Sequence, residues 1–245
     1  MPRPVLLIAG GSRGIGAATA RFAGSRGYDV AVNYKSNANA AAAVVDAVKA
    51  CGGNAVAVQG DMAIEVDIER VFASAAEKLG PLTQFVHSSG IIGENSRLDE
   101  ADSQTIRQVI DLDTFGALLC LRACMRRMST KHGGKGGSIV MLSSMAAPLG
   151  GANECVWYSA AKAGVDSMVI GMAREVAKEG MRVNAVSPGV IDTDIQPPGR
   201  IERVAPMLPM GRPGNADEVA EAILFLLSDA ASYVNGANLR VSGAR

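Results

Sequence analysis

Three polar side chains near the middle of the chain suit proton transfer. Tyr158 and Lys162 stand four residues apart, so on a helix the phenol and the ammonium share one face, and Ser144 precedes them after an apolar run. Moving a tyrosine pKa from about 10 to neutrality takes roughly 4 kcal/mol, which a cation about 4 Å away supplies at an effective dielectric of about 20. Lys162 can therefore activate Tyr158 as acid and base while Ser144 orients a carbonyl or alcohol. Taken alone, the same spacing also suits an exposed helical pair.

A glycine-rich turn near the start of the chain suits phosphate binding. The apolar run Val5–Ala9 leads into Gly10, Gly14 and Gly16, and a helical pattern follows at once. Glycine lets a ligand approach the backbone closely, and the free N–H groups and dipole of a helix start attract an anion. The spacing differs from the general dinucleotide fingerprint, so an ordinary strand-to-helix turn is the alternative.

Strand-like and helical runs alternate along the chain, which is typical of parallel strands with helical crossovers. The pattern predicts an α/β Rossmann fold, a doubly wound parallel seven-stranded sheet with helices on both faces and ligands beyond the carboxyl ends of the strands. The predicted strands are Val5–Ala9, Asp29–Tyr34, Ala55–Gln59, Gln84–Ser88, Ser138–Leu142, Arg182–Ser187 and Asn238–Val241. The predicted helices are Ile15–Ser25, Ala38–Cys51, Ile64–Leu79, Ser103–Met128, Ser159–Glu179 and Ala216–Ser228.

Length and charge exclude several classes of protein. The 245 residues, 48% of them hydrophobic, fit one domain spanning residues 1–245. Lysine plus arginine equals aspartate plus glutamate, 24 of each, so no overall positive field favours nucleic acid or an anionic membrane. No apolar run is long enough for a signal-peptide core or a membrane span, so we expect a cytoplasmic protein.

The cysteines and histidines lack the spacing of a metal site. Cys120 and Cys124 are one helical turn apart and suit buried packing, and His87 and His132 are distant from each other. We expect no metal and no disulfide.

Five segments together resemble the short-chain dehydrogenase/reductase family along the whole chain. They are Gly10–Gly16, Asp61–Met62, Gly137–Ser144, Tyr158–Gly164 and Arg182–Thr193. The C-terminal run from Pro209 to Gly236 is similar to the bacterial branch of glucose-dehydrogenase-like and 3-oxoacyl-carrier-protein-reductase-like enzymes.

The resemblance implies roles for individual residues. It implies the catalytic set Ser144, Tyr158, Lys162 and Asp113, with Asp113 at the position of the family's asparagine. It also implies that the long helices containing Asp113 and Tyr158 form a homotetramer or homodimer. The cofactor-binding set is Gly10, Ser12, Arg13, Gly14, Ile15, Gly16, Asn33, Tyr34, Lys35, Asp61, Met62, Ser89, Gly90, Tyr158, Lys162, Pro188, Gly189, Ile191 and Thr193.

The end of the second predicted strand favours NADP(H) over NAD(H). The sequence Asn33–Ser36 holds no carboxylate for a ribose 2′-hydroxyl, and Arg13 and Lys35 can reach toward a 2′-phosphate. The alternative is that both are ordinary surface cations.

Two departures from the family pattern bear on stability and on activity. His87-Ser88-Ser89-Gly90 replaces the family's Asn-Asn-Ala-Gly, so we expect a loss of local stability. Asp113 can present its backbone carbonyl to a relay water, but its side chain cannot donate a hydrogen bond unless protonated. This leaves a second hypothesis, a nucleotide-binding scaffold or sensor with little turnover.

The predicted substrate site involves a loop and several apolar residues near the catalytic positions. The resemblance implies a substrate loop within residues 190–210, in which Asp194–Arg200 looks shorter than in relatives. Pocket contact and core packing are equally open for five residues near the catalytic positions: Met145, Ala146, Trp157, Val190 and Ile191. We expect a small to medium, partly apolar carbonyl or alcohol.

Overall fold

Seven strands form one parallel sheet in the computed structural model, which describes residues 3–196 and 198–245. Met1, Pro2 and Pro197 of the predicted substrate loop lie outside the described residues. The sheet consists of β1 (Val5–Ala9), β2 (Asp29–Tyr34), β3 (Ala55–Gln59), β4 (Gln84–His87), β5 (Gly137–Leu142), β6 (Met181–Pro188) and β9 (Asn238–Val241). Two further strands, β7 (Ile191–Asp192) and β8 (Gly214–Asn215), pair only with each other among the described residues.

The helices connect the strands as the predicted crossovers require. They are α1 (Gly14–Ser25), α2 (Ala38–Ala50), α3 (Glu65–Leu79), α4 (Ser103–Ile110), α5 (Ala117–Met128), α6 (Ala146–Leu149), α7 (Val156–Val176), α8 (Arg200–Val204) and α9 (Ala216–Leu227). Single 3₁₀ turns cover Leu98–Glu100, Thr130–His132, Ala177–Glu179, Ala205–Met207 and Asp229–Ala231. No helix among the described residues is both long and apolar enough to cross a membrane.

The strand order is β3-β2-β1-β4-β5-β6-β9, all parallel. The chain first adds strands on one side of β1 and then on the other, so a crevice opens beyond the carboxyl ends of β1 and β4. This arrangement confirms the predicted doubly wound Rossmann sheet. Side chains that follow β1, β4, β5 and β6 therefore meet at one edge.

Two apolar layers enclose the sheet, because its strands are buried on both faces. One layer packs α3, α5 and α7 against the sheet around Phe72 and Phe85, and the other packs α1, α2 and α9 around Ile8 and Ile223. Cys120 and Cys124 are fully buried in the first layer, which confirms their prediction as packing residues.

The predicted helix Ser103–Met128 is wrong as one continuous α-helix. It consists of α4, a π-helical turn at Asp111–Gly116, and α5. The chain passes so close to the loop between β3 and α3 here that a Cβ on Gly116 would collide with the carbonyl oxygen of Met62. Apolar periodicity does not distinguish a single wider turn from regular helix, so this feature was missed.

Other element boundaries differ by up to three residues. The predicted helix Ser159–Glu179 begins at Val156, and its last turn is 3₁₀ before Gly180, whose φ of +72° ends it. The predicted strand Gln84–Ser88 ends at His87.

Candidate active site

A cavity of about 580 Å³ opens at the carboxyl edge of the sheet, at the strand-order reversal. The loops after β1, β2, β4, β5 and β6 all contribute to its wall. Its volume suits a cofactor or small ligand.

The glycine loop after β1 forms one wall of the cavity and suits a phosphate. Helix α1 begins at Gly14 without a side-chain cap and without an acidic residue in its first turn, so its first N–H groups remain available to an anion. Gly10 has a φ of +72°, and a Cβ there would lie 2.8 Å from the Ser89 backbone nitrogen. A Cβ on Gly16 would collide with the Gly10 carbonyl oxygen. These constraints fit the pyrophosphate of a dinucleotide.

Asn33 holds the glycine loop in position from beneath. Its Oδ1 accepts a hydrogen bond from the Gly10 N–H at 3.2 Å, and its Nδ2 donates to the carbonyls of Val58 and Gly60 at 3.2 and 3.0 Å. The side chain is buried and fully occupied by these bonds. Asn33 thus acts on the cofactor site through the loop.

Tyr158, Lys162 and Ser144 meet at the opposite wall. Helix α7 begins two residues before Tyr158, and Lys162 Nζ lies 5.5 Å from the centroid of the Tyr158 ring. Lys162 Nζ donates to the Leu142 carbonyl at 3.1 Å, while Ser143 Oγ donates to the Lys162 carbonyl at 3.2 Å, so the end of β5 is bound to α7. Ser144 lies next to Tyr158 and lowers the pKa of its phenol, and its Oγ accepts a hydrogen bond from the Ala146 N–H at 3.0 Å.

Asp113 lies directly behind this pair, in the π-helical turn. Its Oδ2 is 3.2 Å from Lys162 Nζ, and its Oδ1 accepts from the Ile91 N–H at 3.0 Å. Gly90 leaves room for the pair, since a Cβ there would lie 3.0 Å from Asp113 Oδ2. Asp113 is fully buried, so it joins α7 to the loop after β4 without lining the cavity.

Burial and charge act on the three pKa values in different directions. Burial raises the pKa of Tyr158, Lys162 lowers it and Asp113 raises it again, so it lies above its ordinary value. Burial lowers the pKa of Lys162, but the charges of Asp113 and Tyr158 reverse the effect and raise it. Burial raises the pKa of Asp113 against the opposing attraction of Lys162. Lys162 therefore stays charged, and Tyr158 keeps its proton at neutral pH.

His87 sits in the core next to this cluster and is uncharged. Burial and, secondarily, the charge of Lys162 lower its pKa to about 3. Neither ring nitrogen has a hydrogen-bond partner among residues 3–196 and 198–245. The predicted local loss of stability at this replacement has a physical basis, because a buried donor without a partner is costly.

The predicted site residues converge on the cavity with two exceptions. Asp113 lies behind the wall, and Gly16 lies under the glycine loop. The others line it: Gly10, Ser12, Arg13, Gly14, Ile15, Asn33, Tyr34, Lys35, Asp61, Met62, Ser89, Gly90, Ser144, Tyr158, Lys162, Pro188, Gly189, Ile191 and Thr193.

Two of these side chains already bind each other. Lys35 Nζ lies 2.7 Å from Asp61 Oδ2, and Asp61 Oδ1 also accepts from the Ala63 N–H at 3.0 Å. Lys35 follows β2 and Asp61 follows β3. The sequence analysis did not predict that these two side chains would form an ion pair.

For five residues the sequence analysis left open whether each lines the pocket or packs in the core, and the structure shows some in each place. Met145, Ala146, Val190 and Ile191 line the cavity. Trp157 packs in a small core cluster instead, with its Nε1 donating to the Ile92 carbonyl at 2.8 Å.

The structure adds residues that the sequence analysis did not select. The Leu142 carbonyl and the Ile91 N–H are main-chain groups, which residue type does not reveal. Arg200 and Glu154 line the substrate side and form an ion pair, although 46 positions separate them.

Fold and site together define a class of enzymes. A Rossmann sheet with a glycine loop and a Tyr–Lys pair at the strand-order reversal is that of a nicotinamide-dependent dehydrogenase acting on CH–OH or C=O groups. Residues 9–243 match the family model described as Enoyl-(Acyl carrier protein) reductase. The chain belongs to the short-chain dehydrogenase/reductase family.

Individual relatives cover almost the whole chain. It is 40% identical over 245 residues to the oxidoreductase YgfF of Escherichia coli K12, spanning 98% of this chain and 99% of that protein. It is 39% identical over 242 residues to cis-4-hydroxycyclohexanecarboxylate dehydrogenase of Sinomonas cyclohexanicum, spanning 98% and 95%. A crystal structure of a dehydrogenase/reductase from Sinorhizobium meliloti 1021 superposes with a TM-score of 0.92 at 30% identity, spanning 100% and 95%.

Proposed function

We propose that this protein is an NADP(H)-dependent oxidoreductase that interconverts a carbonyl and a secondary alcohol, with Tyr158 as acid and base. The observation that carries the proposal is the Tyr158–Lys162 pair on the same cavity wall as Ser144, facing the glycine loop. A nicotinamide bound in this cavity supplies or accepts the hydride.

The chain's own residues move the proton. In reduction, Tyr158 donates its phenolic proton to the carbonyl oxygen, and the Ser144 hydroxyl donates a hydrogen bond to the same oxygen. Lys162 then stabilises the phenolate left on Tyr158. In oxidation, the phenolate accepts the alcohol proton. Because the pKa of Tyr158 is raised, the protonated form needed for reduction prevails at neutral pH.

The proposed cofactor contacts follow the two walls of the cavity. The first turn of α1 would bind the phosphates, and Lys162 would bind the nicotinamide ribose. Asn33 and Gly16 would act by shaping the glycine loop. The loop after β6 would hold the nicotinamide, through Pro188, Gly189, Ile191 and Thr193.

The preference for NADP(H) rests on the end of β2. Arg13 is exposed beside the cavity and makes no ion pair among the residues that the structure describes. Lys35 is paired with Asp61, but its side chain is 72% exposed, and such a pair is weak enough for a 2′-phosphate to displace it. No acidic side chain from Asn33 to Ser36 is present to accept a hydrogen bond from the ribose 2′-hydroxyl of NAD(H) or to repel a 2′-phosphate.

We further propose a homo-oligomer built on the helices around the site. Phe115, Leu118 and Ile170 are about half exposed on the π-helical turn, α5 and α7, which suits a second copy of the chain. A tetramer or dimer, a single domain over residues 1–245 with its substrate loop at 190–210, and a cytoplasmic location stay predictions.

Cofactor oxidation tests the proposed function. Purified protein is mixed with NADPH or NADH and a panel of ketones, diketones and quinones. We expect turnover, a higher kcat/KM for NADPH than for NADH, and loss of that preference in Arg13→Ala but not in Arg21→Ala, a control within α1, the helix that follows Arg13, and outside the cavity. A ratio at or below one contradicts the cofactor assignment. Tight binding of both cofactors without any turnover would instead favour a scaffold or sensor.

A further inference from the structure

Arg200 brings a largely buried cation to the substrate side of the cavity. It opens α8, within the loop that follows β7, and its side chain is only 14% exposed. The other cations of the cavity wall have different positions: Arg13 and Lys35 flank the ends of β1 and β2, and Lys162 is paired with Asp113. Arg245 lies exposed at the C-terminal end.

The guanidinium of Arg200 has hydrogen-bonding capacity left over. Its Nη2 donates to Glu154 Oε2 at 2.9 Å, but its Nε is buried and has no partner in the described part of the chain. A guanidinium carries five donors in a planar fork that matches a carboxylate. The single bond to Glu154 therefore does not satisfy this group.

Glu154 differs from Arg200 in exposure. Its side chain is 45% exposed, and it stands in the segment just before α7, four residues before Tyr158. Because a half-exposed carboxylate is readily rehydrated, Glu154 can leave Arg200 at low cost when another carboxylate takes its place. Glu154 thus marks a carboxylate position beside the cavity.

We propose that Arg200 binds a carboxylate of the substrate, so that the enzyme acts on oxo acids and the corresponding hydroxy acids. Glu154 takes this position in the absence of substrate, and the substrate carboxylate replaces or joins it. Glu154 and Asp194 both line the cavity, so a singly charged carboxylate suits the site better than a doubly charged phosphate. The inference rests on the proposed function for the chemistry at Tyr158.

Matched neutral substrates provide the test. Levulinate and acetoacetate are each compared with their carboxamides, which keep the shape and remove the charge. We expect the wild type to prefer an acid over its amide by about tenfold or more in kcat/KM, mainly through KM. Arg200→Gln should remove that preference, and Arg200→Lys should restore part of it. Arg203→Gln, an exposed arginine of the same helix, should keep it.

Glu154→Gln separates this proposal from a purely mechanical role. If the ion pair only fastens the substrate loop, Arg200→Gln and Glu154→Gln should weaken acid and amide equally, and that result would overturn the proposal. If Arg200 binds the substrate, Glu154→Gln should lower the KM for the acid or leave it unchanged. A wild type with no preference for either acid over its amide would also overturn it.

A binding measurement keeps the proposal independent of turnover. Isothermal titration calorimetry measures levulinate binding to the protein with NADP+ present, because the oxidised cofactor cannot reduce the ketone. Binding that is lost in Arg200→Gln and kept in Arg203→Gln supports the carboxylate site even if no carbonyl is reduced. Equal binding in all three proteins refutes it.

Discussion

Replacing Asp113 with asparagine should change the pH dependence of the reaction. The substitution removes a negative charge 3.2 Å from Lys162, yet an asparagine Oδ1 can still accept from the Ile91 N–H. At an effective dielectric of about 20, a full charge pair at that distance is worth about 5 kcal/mol, so Asp113 strongly affects Lys162. With the charge gone, more of the positive field of Lys162 acts on Tyr158.

The size of the effect on Tyr158 follows from two distances. Asp113 lies 3.2 Å from Lys162 Nζ, which is 5.5 Å from the Tyr158 ring centroid. The carboxylate is thus within about 9 Å of the ring, where its repulsion of a phenolate is about 2 kcal/mol at the same dielectric. Since Asp113 raises the pKa of Tyr158, removing the charge should lower that pKa. At about 1.36 kcal/mol per pKa unit this is about 1.5 units, so alcohol oxidation near pH 7 should gain about thirtyfold in kcat/KM.

Paired pH–rate profiles measure this effect. For Asp113→Asn, the alkaline limb assigned to Tyr158 should move to lower pH, and oxidation should gain more near neutrality than reduction, which needs Tyr158 protonated. Asp111→Asn is the matched control, because it removes the same charge from a partly exposed carboxylate that pairs with Arg107. Superimposable wild-type and Asp113→Asn profiles would refute the electrostatic reasoning.

Three further substitutions test the cofactor side and the stability of the site. Lys162→Ala should lower kcat/KM about a thousandfold and also weaken NADPH binding, measured by titration; unchanged binding would contradict its ribose role. Asn33→Ala should lower the free energy of unfolding in urea by about 2–4 kcal/mol, because three main-chain groups lose their hydrogen-bond partner. The control is Asn37→Ala, which removes the N-cap of α2. A smaller decrease in the free energy of unfolding for Asn33→Ala than for Asn37→Ala would contradict this prediction. Gly16→Ala should raise the Kd for NADPH at least about tenfold through its collision with the Gly10 carbonyl, whereas Gly171→Ala, which meets nothing within 4 Å, should not.

The parallel sheet was predictable because period and composition carry that information directly. The run Val5–Ala9 is apolar at every position and buried at every position, as a central parallel strand requires. The same pattern did not predict the π-helical turn at Asp111–Gly116, which depends on the close approach of Gly116 to the Met62 backbone. A contact between distant backbones leaves no periodic signal.

The candidate site was predictable to the extent that side-chain type carries the chemistry. The spacing of Tyr158 and Lys162 was enough to anticipate one shared face, since helix geometry fixes it. The direct ion pair of Asp113 with Lys162 and that of Arg200 with Glu154 join residues 49 and 46 positions apart. Such pairs arise from tertiary packing, and the sequence pattern does not predict which distant residues will pair.

The role of Tyr158 is tested most directly by Tyr158→Phe, with turnover and NADPH binding measured on the same sample. Energy transfer from Trp157, the single tryptophan, reports NADPH binding without requiring a reaction. The account predicts that the variant binds NADPH almost as the wild type does and loses turnover by about a thousandfold or more, because only the proton donor is removed. Turnover within about tenfold of the wild type, with binding intact, would contradict the assignment of Tyr158 as the acid and base.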